Sequence, residues 1–306
     1  MTVAVAPAQT VTSREPLRRL LSTDAHGGDV RGRPMPAMLS RRYGGDLVVA
    51  LRSDRPTIVA NFVSTLDGVV AYDLNGVSGG GEISGFHEPD RFVMGLLRAL
   101  SDVIVVGAAT VRAAPDHTWT AGHIHPGSAG AFRAWRNDIG LPGSDPMTIV
   151  LTNRGDVPRD HPGLRDTAVP VTILTTAAGA RNARRLGFGP NVVIRTPATA
   201  DSVRPTDVVA AVADLGGRLI LCEGGPHILG QFVKARMLDE LFLTLAPQLA
   251  GRAADRPRLG LIEGTAFAVG DAPWAHLRSV HASGDYLFLR YGLGRTTRHE
   301  QPEERA

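Results

Sequence analysis

One cysteine and one lysine, Cys222 and Lys234, stand in a chain of 306 residues. The single cysteine excludes an intrachain disulfide and a cysteine-rich zinc site; its place in an apolar run predicts a buried, inert thiol and suits a reducing cytoplasm. The other basic residues are arginines, scattered and without interleaved aromatics, and the net charge is only +3. That pattern excludes a nucleic-acid-binding patch. No apolar run reaches the roughly 18 residues needed to span a membrane. The Rossmann G-x-G-x-x-G fingerprint is missing too, so a nucleotide would have to be held in another way. Met1 to Thr12 is Ala/Val/Thr-rich with no preceding basic residue, and is expected to be a disordered tail rather than a signal peptide. What remains is ordinary globular composition, 43% hydrophobic and 21% charged.

Three strand-to-helix junctions carry most of the information. Leu221-Cys222-Glu223-Gly224-Gly225-Pro226 runs from an apolar strand into a helix start. Glycines without side chains let the backbone approach an anion, and a helix N-terminus offers free N–H groups and a partial positive charge. Gly-Gly after a strand also serves as a plain tight turn. The stretch Val103 to Val106 is a continuous β-branched run, ended by Gly107 and followed by Thr110 in the first turn of the next element. Met147 to Leu151 opens into Thr152, Asn153 and Arg154, which suit a ribose or an adenosine phosphate. Ligands of parallel sheets bind outside the carboxyl ends of the strands, where all three junctions lie.

Strand–helix alternation organises the rest. Strands are expected at 57–62, 103–106, 147–152, 171–175, 191–195, 218–222 and 238–246. Helices are expected from Glu88, with an apolar face of Phe92, Val93, Leu96, Leu97 and Leu100, and over 177–186, 206–215 and 226–236. Two stretches, 276–282 and 285–291, joined at Ser283-Gly284, read as a closing β-hairpin. The fold class is therefore α/β, a mostly parallel central sheet with an antiparallel C-terminal hairpin and helices on both faces. Residues 1–55 are expected to form an extended, partly disordered arm with one short helix at Pro16 to Ser22. One domain spans 56–292, and 293–306 form a charged, disordered tail. Residues 113–145 hold five glycines and three prolines and read as a loop. His117, His123 and His125 fall in it without a metal-ligand spacing, so no metal is expected. Trp119 and Trp135 would pack that loop down, and Arg91 and Arg98 on their helix would be solvated.

The first strand closes as Asn61-Phe62-Val63-Ser64-Thr65-Leu66-Asp67-Gly68. Asp-Gly is also an ordinary turn pair. The order Asn61…Ser64-x-x-Asp67-Gly68, Ser78-Gly79, Val103 to Thr110, Glu223-Gly224-Gly225, Leu238-Asp239-Glu240-Leu241, Ala246-Pro247 and Gly251 resembles the reductase domain of riboflavin biosynthesis across about residues 56–292. The resemblance implies a dihydrofolate reductase-like fold, a homodimer and NADPH as hydride donor. It implies that Gly107, Thr110 and Val111 contact the cofactor phosphates, Thr152 and Asn153 the adenosine end, and Gly224 and Gly225 the pyrophosphate. Asn61, Ser64 and Asp116 would face the substrate, a phosphoribosylamino-pyrimidine reduced at the ribosyl C1′, with Asp67 or Glu223 as the catalytic carboxylate. A zinc deaminase domain, carried upstream by many members, would need a Pro-Cys-x-x-Cys that one cysteine cannot supply. The same fold leaves open a pterin or folate reductase, and a non-catalytic nucleotide-binding regulator is the reading from another class. The segment after Thr110 departs from the family pattern, and the arginines for a substrate phosphate are not traced; Arg91, Arg98 and Arg112 are the candidates.

Overall fold

The computed structural model describes residues 15–23, 34–74, 79–197, 201–256 and 258–293. The Met1–Thr12 segment, Ser78 and the residues after Leu293 lie outside them. In chain order the first elements are β1 (Arg18–Ser22), α1 (Ala37–Tyr43), β2 (Thr57–Ser64), α2 (Gly80–Ser84), α3 (Glu88–Leu100), β3 (Val103–Gly107) and α4 (Ala108–Ala113). Then come α5 (Ala121–Ile124), α6 (Ala129–Asp138), β4 (Met147–Thr152), α7 (Pro162–Arg165), β5 (Val171–Thr175), α8 (Ala177–Leu186) and β6 (Val192–Arg195). The chain closes with α9 (Pro205–Asp214), β7 (Leu219–Cys222), α10 (Pro226–Lys234), β8 (Glu240–Leu245), β9 (His276–Ser283) and β10 (Tyr286–Gly292).

One ten-stranded sheet runs β1-β9-β10-β8-β2-β7-β3-β4-β5-β6. From β8 to β6 every pairing is parallel; β8, β10, β9 and β1 pair antiparallel. The expected strands form this sheet, and β1 adds a tenth at its edge. Its central strands are continuous apolar runs because both faces are covered. Alternate residues divide between two cores: Ile104 and Val106 of β3 join Val59, Leu221 and α3, while Val103 and Val105 join Ile58, Ile220 and α9 and α10. Cys222 lies fully buried in the second core, and burial pushes its thiol up to about 12. Asp239 and Glu240, at the opposite end of β8 from the site, are pinned by Arg55 and Arg290.

Three expectations need correction. Pro16 to Ser22 is no helix: Arg18–Ser22 is a strand on the outer edge of β9. The open N–H and C=O row of β9 supplies partners that an isolated turn of helix lacks. Further along the segment, Met35, Leu39, Tyr43, Leu47 and Val49 are buried in the main core. The 113–145 stretch is not a plain loop; α5, a 3₁₀ turn at Pro126–Ser128 and α6 occupy it. Glycine content hid the stripe Phe132, Trp135 and Arg136, which is buried against α3. Nor is His125 a surface residue, since it is buried and bonds Glu88, which also pairs with Arg42.

Candidate functional site

Strand order places β7 between β2 and β3, with β4 beyond. The ends of these parallel strands therefore gather Ser64, Glu223, Gly107 and Thr152 along one edge. Register fixes the neighbours. Ala60 pairs with Cys222, and Cys222 with Val105, so Asn61 and Glu223 follow the same rung. Val59 and Leu221, two residues earlier, face α3, so Asn61 and Glu223 face α3 as well.

The cofactor-side glycines are brought together. Gly225 caps α10, and a Cβ there would stand 3.7 Å from Thr110 Oγ1, so the β3 and β7 turns meet. On Gly107 and Gly224 a Cβ would stand 2.9 Å and 2.8 Å from Ile228 Cδ1. Those two positions let α10 settle against both strand ends, most tightly at Gly224, where Ile228 Cβ and Cγ2 would also stand 3.1 Å from a Cβ. Pro226 opens the helix at the position that needs no N–H. Backbone N–H groups, a glycine pair and a nine-residue helix fit a dinucleotide's phosphates. Val111 is fully buried in the main core, so its side chain packs rather than contacts a ligand.

The β4 end differs from expectation. Thr152 Oγ1 accepts from Arg154 N at 3.2 Å and Gly155 N at 3.0 Å and donates to Asp156 Oδ1 at 3.1 Å. Asn153 Oδ1 accepts from Val203 N at 3.0 Å. Thr152 braces the turn, and Asn153, itself exposed, ties it to the segment before α9. Asp116 is exposed on the α4–α5 loop, next to His117, whose ring bonds Arg98.

Asp67 is also committed. Its carboxylate accepts from Thr65 Oγ1 at 2.6 Å, Ala250 N at 3.0 Å and Gly251 N at 2.7 Å, while Arg252 donates to the carbonyls of Asp67 and Gly68. Thr65 first, then the Ala250 N–H, hold its pKa well below the usual carboxylate range. Asp67 thus ties the turn after β2 to the loop after β8. Gly68 supplies the positive φ, +81°, that this turn requires. Ser64 is buried and donates to Thr65 O at 2.7 Å. Asn61 is buried with no hydrogen-bond partner among the described residues, and its amide is free for a ligand.

Glu223 is gripped by Arg98, which is not solvated but 1% exposed at its side chain. Arg98 Nε lies 3.0 Å from Oε1 and 3.2 Å from Oε2, and Nη2 lies 2.7 Å from Oε2. The other donors reach Thr118 O, Thr120 O and His117 Nε2. Sequence reasoning missed this hub. The available signal was that α3 is apolar nearly all round, so an arginine in it must find a buried partner. It also missed Asp90 at the head of α3, fully buried beside Ser84 and Thr244, whose pKa burial pushes up to about 6, with Glu223 adding to the rise. Among the described residues no cluster of His, Cys, Asp and Glu is arranged for a metal ion, and no helix is long and apolar enough to cross a membrane.

Comparison with known proteins bears on the fold and the family. A riboflavin biosynthesis protein RibD from Bacillus amyloliquefaciens is 30% identical over 106 residues, which are 35% of this chain and 28% of that protein. Among solved structures, a pyrimidine reductase-like protein from Corynebacterium diphtheriae superposes with TM-score 0.59 at 20% identity, covering 79% of this chain and 93% of that one. RibD from Acinetobacter baumannii superposes with TM-score 0.58 at 18% identity, covering 79% of this chain and 59% of that one. The chain thus spans well under two thirds of the full RibD proteins, and the structural likenesses speak for the fold. Residues 56–283 match the family described as the RibD C-terminal domain. With three quarters of its length inside that match, the chain belongs to the RibD C-terminal domain family.

Proposed function

We propose that this chain is an NADPH-dependent reductase of a phosphoribosylamino-pyrimidine, converting the ribosyl group to a ribityl chain. The observation that carries the reading is the meeting of Gly107, Thr110, Gly224 and Gly225 at the carboxyl ends of β3 and β7, beside the α3-facing pair Asn61 and Glu223. The glycines would admit the cofactor's phosphates against the α10 N-terminus, and the exposed Asn153 and Arg154 at the β4 end would meet the adenosine. Bound there, the cofactor supplies a hydride to the ribosyl C1′.

The chain's own residues do the rest. Asn61 offers an amide donor and acceptor to the pyrimidine. Glu223, held by the two-donor fork of Arg98, accepts from N–H or O–H groups of the substrate. Asp67 holds the β2 and β8 loops together at the mouth. Asp90 is the carboxyl in this region that burial keeps protonated up to about pH 6, and a proton relay belongs with it rather than with Asp67. The chain is proposed to act as a cytoplasmic homodimer. The test is turnover: oxidation of NADPH on addition of 5-amino-6-(5-phosphoribosylamino)uracil, with dihydrofolate in parallel. Oxidation with the pyrimidine alone supports the reading. Oxidation only with dihydrofolate assigns the site to pterins, and NADPH binding without turnover of either makes the chain a nucleotide-binding regulator.

A further inference from the structure

The Arg98 guanidinium has five N–H donors, and every one is used inside the protein. Two donors fork onto Glu223 and two hold the carbonyls of Thr118 and Thr120. The fifth reaches His117 Nε2 at 2.9 Å. A guanidinium has no acceptor, so Nε2 must be the lone-pair nitrogen, and the imidazole is the neutral Nδ1–H tautomer. On Glu223 the fork is lopsided: Oε2 takes the short 2.7 Å bond, and Oε1 takes a single bond from Nε at 3.0 Å. Oε1 keeps the greater free acceptor capacity.

We propose that His117 and Arg98 form a positioning relay, His117 Nε2 to Arg98 Nη2 to Glu223 Oε2, that fixes the Glu223 carboxyl group with Oε1 presented to the substrate as an acceptor. The inference rests on the reading that Glu223 faces the substrate. It gives the α4–α5 segment, where the sequence departs from the family pattern, a definite task. Thr118 and Thr120 hold one end of the guanidinium through their carbonyls, and His117 holds the other through its ring. His117 is itself fixed by edge-on contacts with Trp119 at 5.3 Å and His123 at 4.8 Å, and Trp119 stacks on His161. Burial first, and then Arg98, hold the His117 pKa down to about 2, so the ring stays neutral where the enzyme works. The relay also selects by hydrogen-bond role: one open acceptor suits a donor group, an exocyclic amine or a sugar hydroxyl.

The relay is tested on the full chain with two readouts. The first is ¹⁵N NMR of the His117 ring from pH 5 to pH 8, which needs no substrate. The relay requires a protonated Nδ1 and an unprotonated Nε2 throughout; the opposite tautomer, or a ring that titrates in that window, overturns it. The second is steady-state kinetics of His117→Ala, His117→Gln and Glu223→Gln. His117→Ala is expected to lower kcat/KM about tenfold while leaving the NADPH dissociation constant within about twofold. His117→Gln, whose amide oxygen can take the Arg98 bond, should recover to within about threefold of wild type. In the Glu223→Gln background, His117→Ala should cost less than about twofold, because its effect runs through Glu223. Full additivity with Glu223→Gln, or a glutamine variant as impaired as the alanine, overturns the relay. A wild-type chain that turns over no pyrimidine while showing the required tautomer sinks the functional reading, and the relay's catalytic task with it; a wrong tautomer in an active enzyme sinks the relay alone.

Discussion

Replacing Asp90 with asparagine should stabilise the protein more at pH 8 than at pH 5. Asp90 sits in the first turn of α3, fully buried, with Ser84 and Thr244 as its hydrogen-bond partners. Burial raises its pKa from 3.8 to about 6, and the Glu223 charge adds to the rise. A carboxyl whose folded pKa is raised holds its proton longer in the native state than in the unfolded chain. Its contribution to stability is full below the unfolded pKa and is lost as pH rises through the folded one. The shift corresponds to about 3 kcal/mol in total, at 1.36 kcal/mol per unit. About half of that is already lost at pH 5 and all of it by pH 8, so the difference between the two pH values is about 1.4 kcal/mol. Asparagine keeps a donor and an acceptor for Ser84 and Thr244, and whatever it changes in packing does not depend on pH. Urea denaturation of wild type and Asp90→Asn at both pH values isolates the ionisation. The asparagine variant should gain about 1.4 kcal/mol on wild type between pH 5 and pH 8. An equal difference at the two pH values would mean that Asp90 ionises in the native state as it does in the unfolded one, and would remove it as the proton-holding carboxyl of the site.

Glycine substitutions should separate cradle from scaffold. At Gly225, φ is −64° and a Cβ would make ordinary contact at 3.7 Å. Gly225→Ala should leave stability within about 0.5 kcal/mol of wild type and weaken NADPH at least about tenfold, about 1.4 kcal/mol by titration calorimetry. Gly155 has φ +72° and no room, since a Cβ would stand 2.0 Å from Gly179 O. Gly155→Ala should cost about 2–4 kcal/mol in urea denaturation. Trp135 is fully buried in the main core, and Trp135→Ala should cost about 3–5 kcal/mol in the same assay; a loss under 1 kcal/mol would mean that α6 is not part of the core.

The sheet was legible because buried parallel strands are written as unbroken apolar runs, and β4 and β5 fall on their expected residues, 147–152 and 171–175. The glycine turns at 107 and 224–225 were legible for the same local reason. What they approach was not, because the contact of Gly225 with Thr110 follows from β7 entering the sheet between β2 and β3. Strand β1 depends on the open edge of β9, more than 250 residues away in sequence. The Arg98 hub joins α3 to residues 117–120 and to Glu223, three segments whose meeting no local pattern encodes. Thr152, Asn153 and Asp67 show the converse: they read as ligand contacts at strand ends, but Thr152 bonds the turn that follows it, Asn153 bonds Val203 and Asp67 bonds Ala250 and Gly251, segments that no local pattern places beside them.

The central claim is that the β3 and β7 turns hold a reduced nicotinamide dinucleotide. Thermal unfolding with NADPH, and separately with NADH, tests it most directly. At 100 times its dissociation constant a ligand adds about 2.7 kcal/mol, a rise of roughly 4 °C for a chain of this size. The account predicts a rise of that order with NADPH, a smaller one with NADH, and loss of the NADPH rise in Gly225→Ala. An unchanged melting temperature with either nucleotide at millimolar concentration would contradict it.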